Sequence, residues 1–443
     1  MGTTDRGRRA ARIARTGTAV LLAVALSGCW WQQTDGDSGR TRSNPLENQL
    51  TVANVDRLAL QWSTSTPGRL SQPVTDARRA YVTHTVSGNS AVQAYDLKTG
   101  SLSWERALPN TGPKLEVTPA VQFSGDDLLV SHPARPPLTP CADLRRLDPS
   151  SGDTIAVRTA PLLTSETVTF GSIVAHTEAT GSCHPFYGDD RLVVRDQTTL
   201  EVLWTAELDV GPNVAPTIAD GRIYVNQVGT VLAYDAAGCG APVCEPVWTN
   251  TGEGFAVNAP VIAAHGQVYL RRSFRVELPP AGVYEHGRLE VLDADDGTLL
   301  WQAPYSAGTD NGDAGGVDDI AVTHDRLYVI AGRNQGADTP YTRTLDAYPT
   351  SGCGQAECTP EWSAPLDSHF GRLMVGGNVV YATDNAELIT LAADGCGAAT
   401  CTPLASVPVD VGVVQHMVVS GGRVLVVGWQ ADGSQTLAGY GVP

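Results

Sequence analysis

Asp96-Leu97-Lys98-Thr99-Gly100, followed by Trp104, is the stretch that decides the fold, because the chain repeats it. Asp196 precedes Trp204 in the same way, and Asp293-Ala294-Asp295-Asp296-Gly297 precedes Trp301. Asp235 precedes Trp248, and Pro349 precedes Trp362, both with a longer gap. A weaker copy, Asp148 to Gly152, has no Trp. Aligned on the aspartate, the register runs Asp96, Asp148, Asp196, Asp235, Asp293, Pro349, Ala392 and Gly441. A recurrence of about 49 residues marks a repeat array rather than a chain of unrelated domains.

Each repeat reads as four short strands rich in Val, Leu, Tyr and Thr, separated by turn residues, as in Gly221-Arg-Ile-Tyr-Val-Asn. The aspartate can accept backbone hydrogen bonds two residues on, and the glycine supplies a permissive φ, so the third strand turns back onto the fourth. The Trp is a large apolar body with one N–H, suited to filling the wedge between neighbouring sheets. Six of the nine tryptophans occupy this position. Eight registers of four strands predict an all-β chain folded as an eight-bladed β-propeller. The last repeat ends at Pro443, where its fourth strand is due, while residues 55–62 end in Trp62 without three strands before them. The N-terminal strand, residues 55–62, is therefore expected beside residues 433–442, closing the ring.

The N-terminus reads as a targeting segment. Arg6, Arg8, Arg9, Arg12 and Arg15 precede an apolar stretch from Thr18 to Leu26, too short for a conventional membrane-spanning helix. It ends Leu26-Ser27-Gly28-Cys29, which resembles the bacterial lipobox and implies cleavage before Cys29 and lipidation of its thiol. Residues 1–28 are thus expected to be a lipoprotein signal peptide. Residues 29–48, polar and rich in Gly and Ser, read as a flexible tether, and residues 49–443 as the propeller. The expected location is the extracytoplasmic face of a cell membrane, with the chain a monomer.

The formal charge is −17, and an acidic body argues against nucleic acid as a partner. With Cys29 assigned to lipid, eight cysteines remain, an even number in an exported chain. Six form three Cys-x4-Cys copies, Cys239/Cys244, Cys353/Cys358 and Cys396/Cys401, each within Gly-Cys-Gly-x-x-x-Cys-x-Pro. Because each pair lies on a different repeat, local disulfides are expected rather than a zinc site needing four converging ligands. Cys141 and Cys183 are left to pair with each other.

The blades resemble the pyrroloquinoline-quinone (PQQ) enzyme repeat, a strand ending in aspartate, then Gly, then Trp, over roughly residues 50–443. That family includes quinoprotein dehydrogenases and the non-catalytic, lipid-anchored BamB type. The dehydrogenases imply PQQ, Ca²⁺ and a vicinal Cys–Cys disulfide; this chain has no Cys-Cys dipeptide. The reading is a non-catalytic binding or scaffold module without cofactor or metal. The alternatives are an oxidoreductase using the central channel, and a sensor or accessory subunit for envelope transport or polysaccharide handling. The acidic stretch 310–319 misses the spacing of a calcium loop.

Connection lengths indicate a binding face. Second-to-third and fourth-to-first connections share one side of a propeller, and those at 132–142, 178–189, 272–287, 305–317 and 332–341 are long. Variable loops on a rigid scaffold are where binding surfaces concentrate. This face is expected to display Arg135, His184, Tyr187, Arg272, Arg275, Tyr284, His286, Asp310, Asp313, Arg333, Asn334 and Tyr341, to a protein or small ligand.

Overall fold

A computed structural model describes residues 30–109, 119–133, 142–179, 190–209, 214–227, 229–252, 255–256, 259–278, 282–306, 317–333, 342–367, 371–384 and 387–443. Eight antiparallel sheets follow one another, each built around four strands in sequence order. Blade 1 starts at Arg69–Leu70 and ends with Leu102–Ala107. Blades 2 to 7 begin with Ala120–Ser124, Leu162–Leu163, Thr217–Ala219, Phe255–Ala256, Val317–Val322 and Leu373–Gly376. Blade 8 takes Val413–Ser420, Arg423–Trp429 and Ser434–Gly441 from the C-terminus and its outermost strand, Ala59–Pro67, from the N-terminus. The pairing runs from Ala59 opposite Gly441 to Pro67 opposite Ser434. The ring is closed as the repeat predicts, with the strand set later than expected: Val55–Arg57 is a 3-10 turn, and pairing begins at Ala59.

The core lies between the blades. One apolar cluster joins blades 3 and 4 around Trp204, another blades 5 and 6 around Trp301, another blades 6 and 7 around Trp362. Each Trp crosses into the aspartate turn of the next blade. A Cβ added to Gly100 would meet the Trp62 ring at 2.4 Å, and one on Gly297 would meet Trp248 at 2.6 Å. Gly152, Gly238, Gly352 and Gly395 stand in the same relation to Trp104, Trp204, Trp301 and Trp362. All six glycines have φ between +70° and +82°, so the turn needs glycine both for its backbone and for the ring above it. The indole N–H of Trp104 donates to the Pro149 carbonyl at 3.0 Å and that of Trp248 to the Ala294 carbonyl at 3.0 Å.

The interface between blades 2 and 3 inverts the sizes. Ala156 holds the Trp position, opposite Arg146, and Leu200 holds the Gly position with φ +59°. Leu200 is fully buried and packs with Leu144, Ala160 and Val174. A large residue in the turn thus accompanies the small one on the strand.

The three Cys-x4-Cys pairs are disulfides, with Cα–Cα distances of 5.7, 5.6 and 5.6 Å. Each stapled loop also lies along the outer strand of the preceding blade. Thr205 N–H donates to the Pro242 carbonyl at 2.9 Å, and Cys244 N–H donates to the Thr205 carbonyl at 2.8 Å. Gln302 makes the same pair of bonds with Ala356 and Cys358, and Ser363 with Ala399 and Cys401. An exposed outer edge that could recruit foreign strands is thereby covered.

Two glycine substitutions separate turn strain from Trp docking. Gly240→Ala, with φ +79° and no neighbour within 4 Å, is expected to cost about 1–2 kcal/mol. Gly297→Ala should lose that much plus about 1–3 kcal/mol for overlap with Trp248. Urea unfolding of both variants checks this; equal losses would contradict the docking.

Candidate functional site

Residues 30–48 do not form the free tether expected of them. They circle the inside of the channel and contact the innermost strand of each blade in turn. The contact falls at one equivalent position, the residue one pair before the turn into the second strand: Thr75, Phe123, Thr169, Ile218, Ala263, Val322, Val375 and Val419. The N–H groups of Thr75 and Phe123 donate to the carbonyls of Trp31 and Gln32, at 2.6 and 2.8 Å. Thr169 N–H donates to Gln33 Oε1 at 3.0 Å. Ile218, Ala263, Val322 and Val375 donate to the carbonyls of Ser38, Gly39, Thr41 and Arg42, at 2.8 to 2.9 Å. At blade 8 the polarity reverses, and Asn44 Nδ2 donates to the Val419 carbonyl at 3.0 Å. Ser43–Asn44 also pairs parallel with blade 7.

The physical reason is the inner strand itself. Its channel side is an open edge with unpaired N–H groups, and enclosed donors demand partners. A short, polar, glycine-containing segment can approach closely enough to supply them. A Cβ on Gly39 would sit 2.2 Å from the Ala263 carbonyl oxygen. Asp35, Arg40 and Arg42 adopt positive φ, of 60°, 58° and 53°, which winds the collar tightly.

Ion pairs lock the collar. Asp35 accepts from Arg42 Nε at 3.0 Å and Arg40 Nη1 at 3.2 Å, and Arg42 reaches on to Asp319 of blade 6. Asp37 caps Thr41 through its N–H at 3.0 Å and its hydroxyl at 2.6 Å. Burial alone would push the Asp35 carboxyl up, but the guanidinium groups of Arg42 and Arg40 outweigh it and hold the carboxyl below its ordinary range.

Above the collar the channel opens into a cup of about 360 Å³. Its wall takes one residue from each of several blades, three positions before the collar contact: Gln72, Glu166, Ala215, Pro260, Arg372 and His416. Thr34, Asp35, Arg40 and Arg42 form the floor. Enclosure raises the Glu166 carboxyl above its usual range, although that side chain keeps solvent contact through the cup. Burial, helped by Arg372, pushes His416 down to about 4, so its imidazole is neutral at pH 7. No group of three or more metal-ligating side chains occurs among the described residues.

The sequence-predicted face is placed only in part. Arg135, His184, Tyr187, Asp310, Asp313, Asn334 and Tyr341 lie outside the described residues, as do Cys29, Cys141 and Cys183. The expected connection at 272–287 is instead a hairpin, Gln267–Leu278 paired with Gly282–Asp293. Arg275, Tyr284 and His286 fall along it, opposite Glu285, Val276 and Phe274. Arg333 ends the second strand of blade 6, opposite Thr342. Arg272 is a correction: it is 1% exposed and is not displayed. Its guanidinium meets Glu290 at 2.6 Å, Asn250 at 2.8 Å and the Gly229 carbonyl at 2.9 Å, tying blade 5 to blade 4. In the acidic stretch 310–319, Asp318 pairs with Arg343 at 2.7 Å and Asp319 with Arg42, so both are engaged in ion pairs. The cup is hidden in the sequence because its residues lie one per repeat; only the register three positions before each collar contact brings Gln72, Glu166, Arg372 and His416 together.

The family model described as outer membrane protein assembly factor BamB matches residues 142–395, more than half of the chain. The chain belongs to that family. Among solved structures, BamB from Moraxella catarrhalis shares 13% identity with a TM-score of 0.52, covering 86% of this chain and 99% of that one. At that identity BamB speaks for the fold. Hsv2 of Kluyvelomyces marxianus (11% identity, TM-score 0.42, covering 73% of this chain and 93% of that one) and Hsv2p of Kluyveromyces lactis (9%, 0.46, 74% and 93%) match with lower scores. No curated protein matches the chain. The propeller architecture shared with BamB suggests a binding or scaffold module.

The depressed His416 carries a pH signature. Its folded-state value lies below that of the unfolded chain, so its stabilising contribution is complete above about pH 6.5 and is lost as pH falls toward 4. The melting temperature should rise across that window, and His416→Gln should flatten the rise. A slope unchanged by the substitution would contradict the placement of His416 beside Arg372.

Proposed function

We propose that the chain is a non-catalytic binding module, anchored through a lipidated Cys29 outside the cytoplasm, that holds its partner at the cup and the blade 5 hairpin. The observation that carries this reading is the collar, which fills one end of the channel with the chain's own backbone. Access to the cup is then from the opposite side, where the hairpin Gln267–Leu278 and Gly282–Asp293 ends. The collar also occupies the axis that a channel enzyme would leave to substrate and cofactor, which favours binding over catalysis. At the hairpin the partner class is a protein, as suits the mixed aromatic and arginine residues of its sequence, while the cup is left for a small ligand.

The collar changes what the anchor would do. Trp31 is already bonded inside the ring, so a lipid on Cys29 would lie within roughly 7 Å of the channel along the chain. The propeller would sit against the membrane rather than sweep a 20-residue radius.

A photoreactive residue at Tyr284, compared with one at Asp295 in an aspartate turn on the opposite face, tests the reading in the native envelope. Tyr284 is expected to give a discrete crosslinked protein and Asp295 none; the reverse would place the partner on the turn face. Metabolic labelling with palmitate should mark the wild type and fail in Cys29→Ser. Labelling that survives the substitution would remove the anchor from this account.

A further inference from the structure

The wall of the cup contributed by blades 7, 8 and 1 carries donors that the fold leaves unused. Gln72 of blade 1 is 8% exposed, and its Nε2 has no hydrogen-bond partner among the described residues. A buried amide donor without an acceptor costs free energy, so its retention wants a reason. Arg372 of blade 7 has no carboxylate within ion-pair distance among the described residues, while Arg40, Arg42 and Arg343 all do. Gln415 of blade 8 accepts from Gln435 Nε2 through its Oε1, and Gln435 in turn accepts from Leu70 N–H. That chain of bonds fixes the Gln415 amide and leaves its own N–H groups without an acceptor among the described residues. Gln72, Arg372 and Gln415 all line the same 360 Å³ space.

We propose that this wall is a binding site for a small molecule bearing an oxyanion, a carboxylate or a phosphate, seated against Arg372 with Gln72 and Gln415 donating to its oxygens. The proposal rests on the reading of the cup as a binding site and names its ligand chemistry. The Arg372 guanidinium and the two amides, on three successive blades, offer several N–H groups to an oxyanion, the donors that planar or tetrahedral oxyanions require. The polarity is local: the chain carries −17 overall, yet the arginines gather here. Neutral His416 adds shape without competing charge, and Glu166, across the ring on blade 3, bounds the site from the far side. The volume lies at the small end of the range for ligand pockets, which suits a compact molecule.

Calorimetric titration of the full-length protein in detergent tests it at low salt and pH 7, with inorganic phosphate in one arm and citrate in the other. Saturable binding of one molecule per chain is expected in at least one arm; phosphate alone assigns a phosphoryl ligand, citrate alone a carboxylate ligand. Arg372→Gln should weaken binding at least tenfold. Gln72→Leu should weaken binding severalfold while leaving the melting temperature unchanged or higher, because it removes an orphan donor. Absence of saturable binding in both arms overturns the proposal, as does wild-type affinity in both Arg372→Gln and Gln72→Leu. A partner captured at Tyr284 in the absence of anion binding would sink this site and leave the binding module standing.

Discussion

Everything in this propeller is arranged around eight strand edges that face one another across a narrow channel. An edge strand presents unpaired N–H and C=O groups, and in an enclosed channel neither solvent nor another sheet is at hand to satisfy them. The chain supplies its own partner. A segment of fourteen residues, from Trp31 to Asn44, meets the same position on all eight inner strands before the polypeptide leaves to complete blade 8. Each such bond is worth about 0.5–1.5 kcal/mol net, but a donor left buried and unpaired costs more. The collar is therefore a condition of closing the ring tightly, and its order of contacts reproduces the order of the blades.

A second constraint acts at the perimeter. Blades have little core of their own; the apolar clusters lie between them, and the Trp-over-Gly contact sets their spacing. The interface that breaks the rule shows that volume is the conserved quantity. Ala156 and Leu200 exchange the sizes of Trp and Gly, and Leu200 accepts a left-handed backbone to do so. Where the aspartate turn is replaced by a Cys-stapled loop, the loop bonds the backbone of the residue after the Trp, at Thr205, Gln302 and Ser363. The short-turn interfaces instead use the side chain two residues after the Trp position, with Arg106 bonding the Gly152 carbonyl and Asn250 the Gly297 carbonyl.

The fold is legible because it is written in side-chain size once per repeat: each Trp needs a Gly in the turn of the next repeat, as Trp104 needs Gly152 and Trp248 needs Gly297. Closure by the N-terminal strand follows from Trp62, and the strand lies later than expected at both ends, from Ala59 to Pro67 rather than 55 to 62. The collar was not legible, because what it offers is mainly backbone carbonyls. Asp35, Gly36, Ser38 and Gly39 give the composition of a linker, and small polar residues that turn tightly are also what a segment needs to thread a channel. Arg272 was misplaced for a related reason. The strand of blade 5 runs to Leu278, so a residue read as loop sits inside the sheet, bound to Glu290. The cup escaped notice since Gln72, Glu166, Arg372 and His416 are each an isolated polar residue in sequence and meet only when the ring closes.

Hydrogen exchange at the inner strands bears most directly on this account, because the collar's partners are backbone amides of known position. In the intact protein the amides of Ile218, Ala263, Val322 and Val375 should exchange slowly, close to the rate set by global unfolding. In a chain whose residues 31–44 are replaced by a Gly-Ser sequence of equal length, those four should lose protection together while the second-strand amides of Val225 and Val329 keep theirs. Equal protection in both proteins would show that the channel edges need no collar, and would contradict the central claim.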